Sequence, residues 1–515
     1  MAIIDFFDRG WRSNPNGIAY IQGDAQWSFE KTGRLSCQIA NRLLAQGYSS
    51  GSKGAVWAGN DVKSWICTLG LWRANMAWIP VNARGSQEDN LHVLNSFDCD
   101  VLFYQAAFAE QIETVRALLP QIRLWVCIDD EQGSFETWLA GASDRVPSIE
   151  TDLDDVVMLS PTGGTTGLPK GVMNTHRSTQ TFVAHFMMAC HYSADERPVN
   201  LAAAPMTHTA GLLSLPCTAR GGTVVVLAKP DAGPMLGAIE EHGVTEFFLP
   251  PTVIYRLLDI PNIEKLNFSS LRYFMYGAAP MSVEKLKRAI EVFGPVMTGG
   301  YGQTEAPASI SFLTPDEHFE NRRLASDERL TSVGRPNPLV RVEIMDGENG
   351  ILPVGESGEI CVRGDLVMKG YYKAAEKTAE TIIDGWLHTG DIGHLDADGY
   401  LHITDRKKDM IISGGFNVYP SEVEQVLWSH EAVQDCAVIG VPDEQWGEAV
   451  KAVVELNSGA SVDEADLIAL CKTKLGSVKA PKSVDFVPAL PRSPVGKVLK
   501  KDLREQYWSA ASRKI

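Results

Sequence analysis

The sequence predicts an α/β protein: a large N-terminal domain of helix-covered sheets bearing a β-rich subdomain, then a small α+β C-terminal domain. Three observations carry that prediction. Short apolar runs alternate with helical stretches over the first 300 residues, and shorter strands with more turns take over from about residue 330. A charged segment, 404–409, then separates two apolar runs ahead of a compact tail. At 515 residues the chain exceeds one ordinary domain and can bury sizeable cores.

Residues 29–46 place Leu35, Ile39 and Leu43 at four-residue steps, the spacing of one helix face. Apolar runs at 55–58, 77–81, 101–104 and 124–128 read as buried strands, and 224–227, 246–249 and 271–276 resume the series. Strands alternating with helices point to parallel sheets, whose ligands gather at strand C-terminal ends. Residues 341–345 and 358–364 read as strands of the β-rich subdomain, about 330–405. Beyond it a helix from Ser421, strands near Ala437 and Ala452 and a helix near Ala465 make up the small domain. The division expected is 1–405 and 406–515.

Composition narrows the partners. A net charge of −17 disfavours nucleic acid and a broad anionic membrane patch. The stretch holding Lys497, Lys500, Lys501 and Arg504 is the candidate for a local basic face, with a solvated helix end as the plainer reading. The nine cysteines never fall within four residues of one another, unlike short-spaced zinc pairs or a disulfide framework. Buried thiols in a reducing compartment are expected. The first residues carry acids where a signal peptide is basic, no apolar run reaches membrane-spanning length, and the C-terminal SRKI is no peroxisomal address. A cytoplasmic protein is expected, with a homodimer left open.

The chemistry concentrates at residues 160–171, SPTGGTTGLPKG, after the apolar run 155–159. Glycines let backbone N–H groups approach an anion, and threonine hydroxyls add donors for phosphate oxygens. The common P-loop needs Gly-Lys followed by Ser or Thr, whereas Lys170 follows Pro169 and the Gly496–Lys497 pair precedes Val498. A nucleotide is expected, held in a different way.

The loop resembles the signature of the adenylate-forming superfamily, and five further segments match that family in order. They are 204–211 (APMTHTAG), 301–305 (YGQTE), 385–391 (GWLHTGD), 405–409 (DRKKD) with 412–415 (ISGG), and 491–497 (PRSPVGK). The chain is similar to the acyl-CoA synthetase branch, whose C-terminal domain is mobile. The resemblance implies ATP, Mg²⁺ and coenzyme A, with small-molecule partners only. It implies that Thr162, Gly163, Gly164, Thr165, Thr166, Gly167 and Lys170 hold the phosphates, with Glu305 and Thr166 at Mg²⁺. Thr304 would bond the α-phosphate, and Asp391 the ribose hydroxyls with Arg406 in support. Gly277, Ala278 and Ala279, with Tyr301 and Gly302, would enclose the adenine. Lys408 would stand at the hinge, and Gly414 and Gly415 would line the thiol passage. Lys497, Thr304, Glu305 and His208 form the catalytic set, with Lys497 bridging substrate carboxylate and α-phosphate.

These parts suit a carboxylate that must become an acyl-AMP before a thiol can displace its oxygen, a reaction governed by alignment and neutralisation of charge. Residues 201–218 contain no acid to meet an α-amine, so an amino-acid substrate is disfavoured. His208, Gly211, Leu212, Phe248, Pro250, Ala306, Pro307 and Ile310 border the expected apolar acyl pocket. A fatty or aryl-alkyl acid fits. The alternatives are a ligase that loads a separate acyl carrier protein and an inactive nucleotide-binding homologue, with luciferase-like oxygen chemistry a distant third.

Overall fold

Each apolar run becomes a strand because its β-branched and aromatic side chains can be covered on both faces by helices. The computed structural model describes residues 1–162, 169–207, 209–414, 416–443, 446–492 and 498–508. Among the described residues, one seven-stranded sheet runs Gly370–Tyr371, Gly171–Thr175, Val156–Pro161, Ala77–Pro80, Lys53–Trp57, Val101–Tyr104 and Leu124–Cys127. A nine-stranded sheet is built around the parallel strands Met297–Gln303, Tyr273–Gly277, Glu246–Leu249, Val199–Ala202, Thr223–Val226 and Ile18–Gln22. The helix expected at 29–46 is Phe29–Ala45, opened by the Ser28 hydroxyl on the Lys31 N–H.

Both sheets are mixed, not purely parallel. Val156–Pro161 pairs in parallel with Ala77–Pro80 but antiparallel with Gly171–Thr175. The two strands that flank residues 162–170 therefore pair as a β-hairpin. Thr162 N–H donates to the Lys170 carbonyl at 2.9 Å, closing the base of that hairpin. Met297–Gln303 likewise returns antiparallel as Ala306–Leu313, placing Thr304 and Glu305 in the tight turn between them.

The main core lies where the two sheets share buried side chains. Trp65, Trp72 and Trp78 meet there edge to face, with centroids 5.4 to 5.8 Å apart. An antiparallel sheet of Val340–Met345, Gly358–Gly364, Trp386–Leu395, Ile382–Ile383 and Leu401–Arg406 forms the β-rich part. The C-terminal part packs helices Pro420–Trp428 and Glu464–Lys479 with a sheet centred on Val433–Asp443 and Gly447–Leu456.

Asp405 and Arg406, in the charged segment 404–409, complete the Leu401–Arg406 strand. One expectation needs revision: among the described residues the C-terminal cations do not make an open basic face. Lys500, partly buried, pairs with Glu424 at 2.8 Å, and Arg504 pairs with Asp409 at 2.7 Å. All nine cysteines are buried and unpaired, as expected. No helix among the described residues is long and apolar enough to cross a membrane.

Three histidines, His176, His185 and His318, are buried with no more than 1% exposure, and burial lowers each from 6.5 to about 4. Asp155 near His176 opposes that effect without reversing it. The unfolded chain therefore binds more protons than the folded one between those values, and stability falls as pH drops through this window. The loss is up to about 4 kcal/mol per pH unit for three rings. Thermal melts should show the midpoint falling steeply between pH ~6.5 and ~4.5, and a flat profile would contradict this reading.

Candidate active site

The site is assembled in three regions, two at the ends of antiparallel ladders and one at the end of a parallel ladder. In the first, Asp391 faces Arg406 across paired strands. The Asp391 carboxylate is buried, accepts the Tyr301 O–H at 2.7 Å, and meets Arg406 Nε at 3.1 Å. Burial, and next the Asp391 charge, push the Tyr301 phenol well up, so it remains a donor. The strand bulge before Asp391 is fixed twice. Thr389 Oγ1 accepts the Asp391 N–H at 3.1 Å and donates to the Ile360 carbonyl at 2.7 Å.

Glu359 is a second fixing group that the sequence did not reveal. Its carboxylate accepts the Gly390 N–H at 3.0 Å, lies 3.3 Å from His388 Nδ1, and pairs with Lys407 Nζ at 3.2 Å. Burial pushes this acid up, but the His388 hydrogen bond and the Lys407 charge outweigh it and the net shift is downward. Lys407 N–H also donates to the Gly390 carbonyl at 2.9 Å. The strand bulge beside Asp391 is thus tied directly to the residues that follow Arg406. Lys408 follows, exposed at its outer side, its ammonium pulled down first by the desolvation of its surroundings and then by Arg406. A cleft of about 280 Å³ opens among Thr389, Gly390, Arg406, Lys407 and Lys408.

The second ladder end gathers Glu305, Tyr371 and Lys170. Glu305 Oε1 accepts the Tyr371 O–H at 2.8 Å, and Lys170 Nζ lies 5.5 Å from the centre of the Tyr371 ring. One tyrosine therefore sets the positions of both a carboxylate and an ammonium. Backbone bonds stitch the parts together: Met368 N–H to the Glu305 carbonyl at 2.8 Å and Tyr372 N–H to the Gly171 carbonyl at 2.8 Å. Asn174 Nδ2 reaches the Thr304 carbonyl at 3.4 Å. Nothing in the local sequence marks Tyr371, because it lies 66 residues from Glu305. A cleft of about 500 Å³ opens beside Lys170, Gly171, Tyr372 and Lys373.

The third region is the turn after Tyr273–Gly277. A Cβ on Gly277 would stand 2.6 Å from the Gly300 carbonyl oxygen, so the backbones of adjoining strands need glycine for this approach. Ala278 then takes φ +67°. Gly302 and Tyr301 lie on the neighbouring strand, so these residues share one end of the nine-stranded sheet.

On the small domain, Gly414 donates its N–H to the Trp446 carbonyl at 2.8 Å, beside the exposed Ile412, Phe416 and Trp446 side chains. Gly163, Gly164, Thr165, Thr166, Gly167, His208, Gly415 and Lys497 lie outside the described residues. The flanks of the Lys497 segment are firmly held. Leu499 N–H donates to the Pro491 carbonyl at 2.8 Å, Arg492 pairs with Asp435 at 2.7 Å, and Lys500 pairs with Glu424.

A family model described as AMP-binding enzyme matches residues 7–372. The chain belongs to the AMP-binding enzyme family. The AMP-binding enzyme C-terminal domain matches residues 422–497, and the adenylate-forming resemblance read from the motifs holds. This AMP-binding enzyme is 39% identical over 84% of its length, and 77% of the relative's, to a medium/long-chain-fatty-acid–CoA ligase, FadD8, of Mycobacterium tuberculosis. It is 36% identical over 96% of its length, and 97% of the relative's, to a feruloyl-CoA synthase of an Amycolatopsis species. Among solved structures, ATP-bound MatB of Rhodopseudomonas palustris superposes with TM-score 0.88 at 30% identity, covering 98% of this chain and 99% of that one. Apo MatB, with the same coverage and 29% identity, gives 0.78.

Proposed function

We propose that this AMP-binding enzyme is an acyl-CoA synthetase. It joins a hydrophobic carboxylic acid, fatty or aryl-alkyl, to coenzyme A through an acyl-AMP, with release of pyrophosphate. The observation that carries the reading is the Asp391 clamp. A buried carboxylate held between a phenol and a guanidinium at a strand end is a fixed acceptor suited to a ribose diol.

The other roles follow from placement. Lys170 and the threonine loop neutralise the β- and γ-phosphates, while Thr304 addresses the α-phosphate from its turn. Mg²⁺ fits Glu305: no cluster of three acidic, histidine or cysteine ligands exists among the described residues, and this ion is commonly held by one carboxylate plus phosphate oxygens and water. When bound, it supplies charge neutralisation to the pyrophosphate leaving group. Tyr371 holds one Glu305 oxygen, orienting the carboxylate. Lys497, carried by the small domain, draws the substrate carboxylate onto the α-phosphate. Superposition on ATP-bound MatB more than on apo MatB supports an arrangement suited to this first step. With the division between domains at 405–406, Lys408 lies at the pivot for the second.

The acceptor is read as free coenzyme A, for which Gly414 and the exposed Ile412, Phe416 and Trp446 offer an apolar passage for a thiol arm. Nine buried, unpaired cysteines support a reducing, cytoplasmic setting. The test is exchange of labelled pyrophosphate into ATP across a panel of acids, followed by thiol competition between coenzyme A and carrier protein. Acid-dependent exchange with thioester on coenzyme A is expected. Exchange with thioester on the carrier alone would reassign the acceptor, and no exchange with any acid would reject catalysis.

A further inference from the structure

Histidine in a protein core is normally neutral, with one ring nitrogen donating and the other accepting. Of the three histidines buried with no more than 1% exposure, two follow that rule. His176 accepts the Ile3 N–H at Nδ1, 3.0 Å, and meets Asn75 Oδ1 through Nε2, 2.9 Å. His318 meets the Thr314 carbonyl through Nδ1, 2.8 Å, and accepts the Tyr276 O–H at Nε2, 3.0 Å. His185 departs from it. Its Nδ1 lies 3.1 Å from Ser309 Oγ, while its Nε2 is buried with no hydrogen-bond partner among the described residues.

The tautomer of His185 can be deduced. Ser309 Oγ lies 3.0 Å from the Pro307 carbonyl, which can only accept, and with its one proton directed there it accepts from His185. His185 Nδ1 therefore carries the proton, and Nε2 presents a lone pair. Leaving such an acceptor unmet in a core costs about 1–3 kcal/mol.

Its position points to an occupant. The helix His176–Ala189 packs against both Thr209–Ala219 and Ala306–Leu313, the two elements to which the sequence assigns the acyl pocket. Ser309 stands five residues beyond Thr304 on the strand that leaves the Thr304–Glu305 turn. On the two facing elements Leu212, Leu213, Ala306, Ile310 and Phe312 are buried and apolar, and Phe186, next to His185 on its helix, packs on Phe312 with ring centroids 4.8 Å apart. A lone acceptor set in such a wall favours a ligand that brings one donor on an otherwise apolar body.

We propose that His185, fixed in its tautomer by Ser309, is a specificity-determining residue whose Nε2 accepts a hydrogen bond from a hydroxyl at the distal end of the substrate acid. The substrate class is thus hydroxylated aryl-alkyl or ω-hydroxy acids rather than plain alkyl ones, a refinement that rests on the acyl-CoA synthetase reading.

The test compares kcat/KM for AMP release with matched acids: phenylpropanoate, cinnamate and decanoate, each beside its para-hydroxy or ω-hydroxy counterpart. On the scaffold turned over best, the wild type should favour the hydroxylated acid by about tenfold or more, because a site built for a donor rejects the analogue lacking it. His185→Leu should bring that ratio to one or below while changing kcat/KM for the plain acid by less than about threefold. Should His185→Leu not fold, Ser309→Ala, which releases the tautomer, should erode the ratio. A wild-type ratio of one, a ratio unchanged in Ser309→Ala, or an equal loss for both acids in His185→Leu would overturn the proposal and leave His185 as a core residue met by buried water. AMP release with none of the acids would instead reject the ligase reading beneath it.

Discussion

Replacing Lys497 by alanine is expected to lower acyl-AMP formation on the order of 10²–10³ or more, while supplied acyl-AMP is still converted to thioester. The first half-reaction brings a carboxylate against a nucleotide triphosphate, and the barrier is largely repulsion between two anions. A single ammonium placed between them removes that repulsion only while the bond forms, so its loss should appear in kcat more than in KM. The second half-reaction has no such need. Arg492 and Lys500, each in an ion pair with the body of the small domain, hold the flanks of the segment, so the truncation removes a charge rather than a structural support. Single-turnover assays of each half-reaction check this. Equal losses in both would remove Lys497 from its role.

Gly414→Leu should act in the opposite sense: pyrophosphate exchange stays within about twofold while thioester formation falls on the order of 10². Gly414 has φ +58°, which a leucine backbone adopts only under strain. Its Cβ would also stand 2.5 Å from Trp446 Cε3, so the indole would have to move. That displacement reshapes the face bearing Ile412, Phe416 and Trp446, where a thiol arm is proposed to pass. The Asp391 clamp and the Glu305–Tyr371–Lys170 set lie on other elements and should keep their geometry. Parallel exchange and thioester assays, with a thermal melt to confirm folding, decide the matter. Loss of exchange to the same degree would contradict the division of labour.

Much of this site was legible because its parts are short local signals in a fixed order. The Tyr301–Glu305, 385–391 and 405–409 segments place Tyr301, Asp391 and Arg406 in three different strands, and the structure joins them within hydrogen-bond reach. What stayed hidden depends on pairing across long stretches of chain. Tyr371 reaches Glu305 across 66 residues, and Ser309 reaches His185 across 124. Neither residue type is marked by its neighbours. Alternating strands and helices also misled at one point. They signal parallel pairing on average, but cannot show that 156–161 returns as the antiparallel strand 171–175, because hairpin pairing depends on the loop between them. The acids that pair with Lys500 and Arg504, Glu424 and Asp409, were hidden for the same reason, since they lie far away in sequence.

The most direct measurement of the central claim is product identity in a single turnover with ATP, an acid of the panel and no thiol. The account predicts that pyrophosphate appears with an enzyme-bound acyl-AMP, and that adding coenzyme A then releases AMP and thioester in equal amounts. Formation of ADP and inorganic phosphate instead would contradict it, whatever acid is consumed.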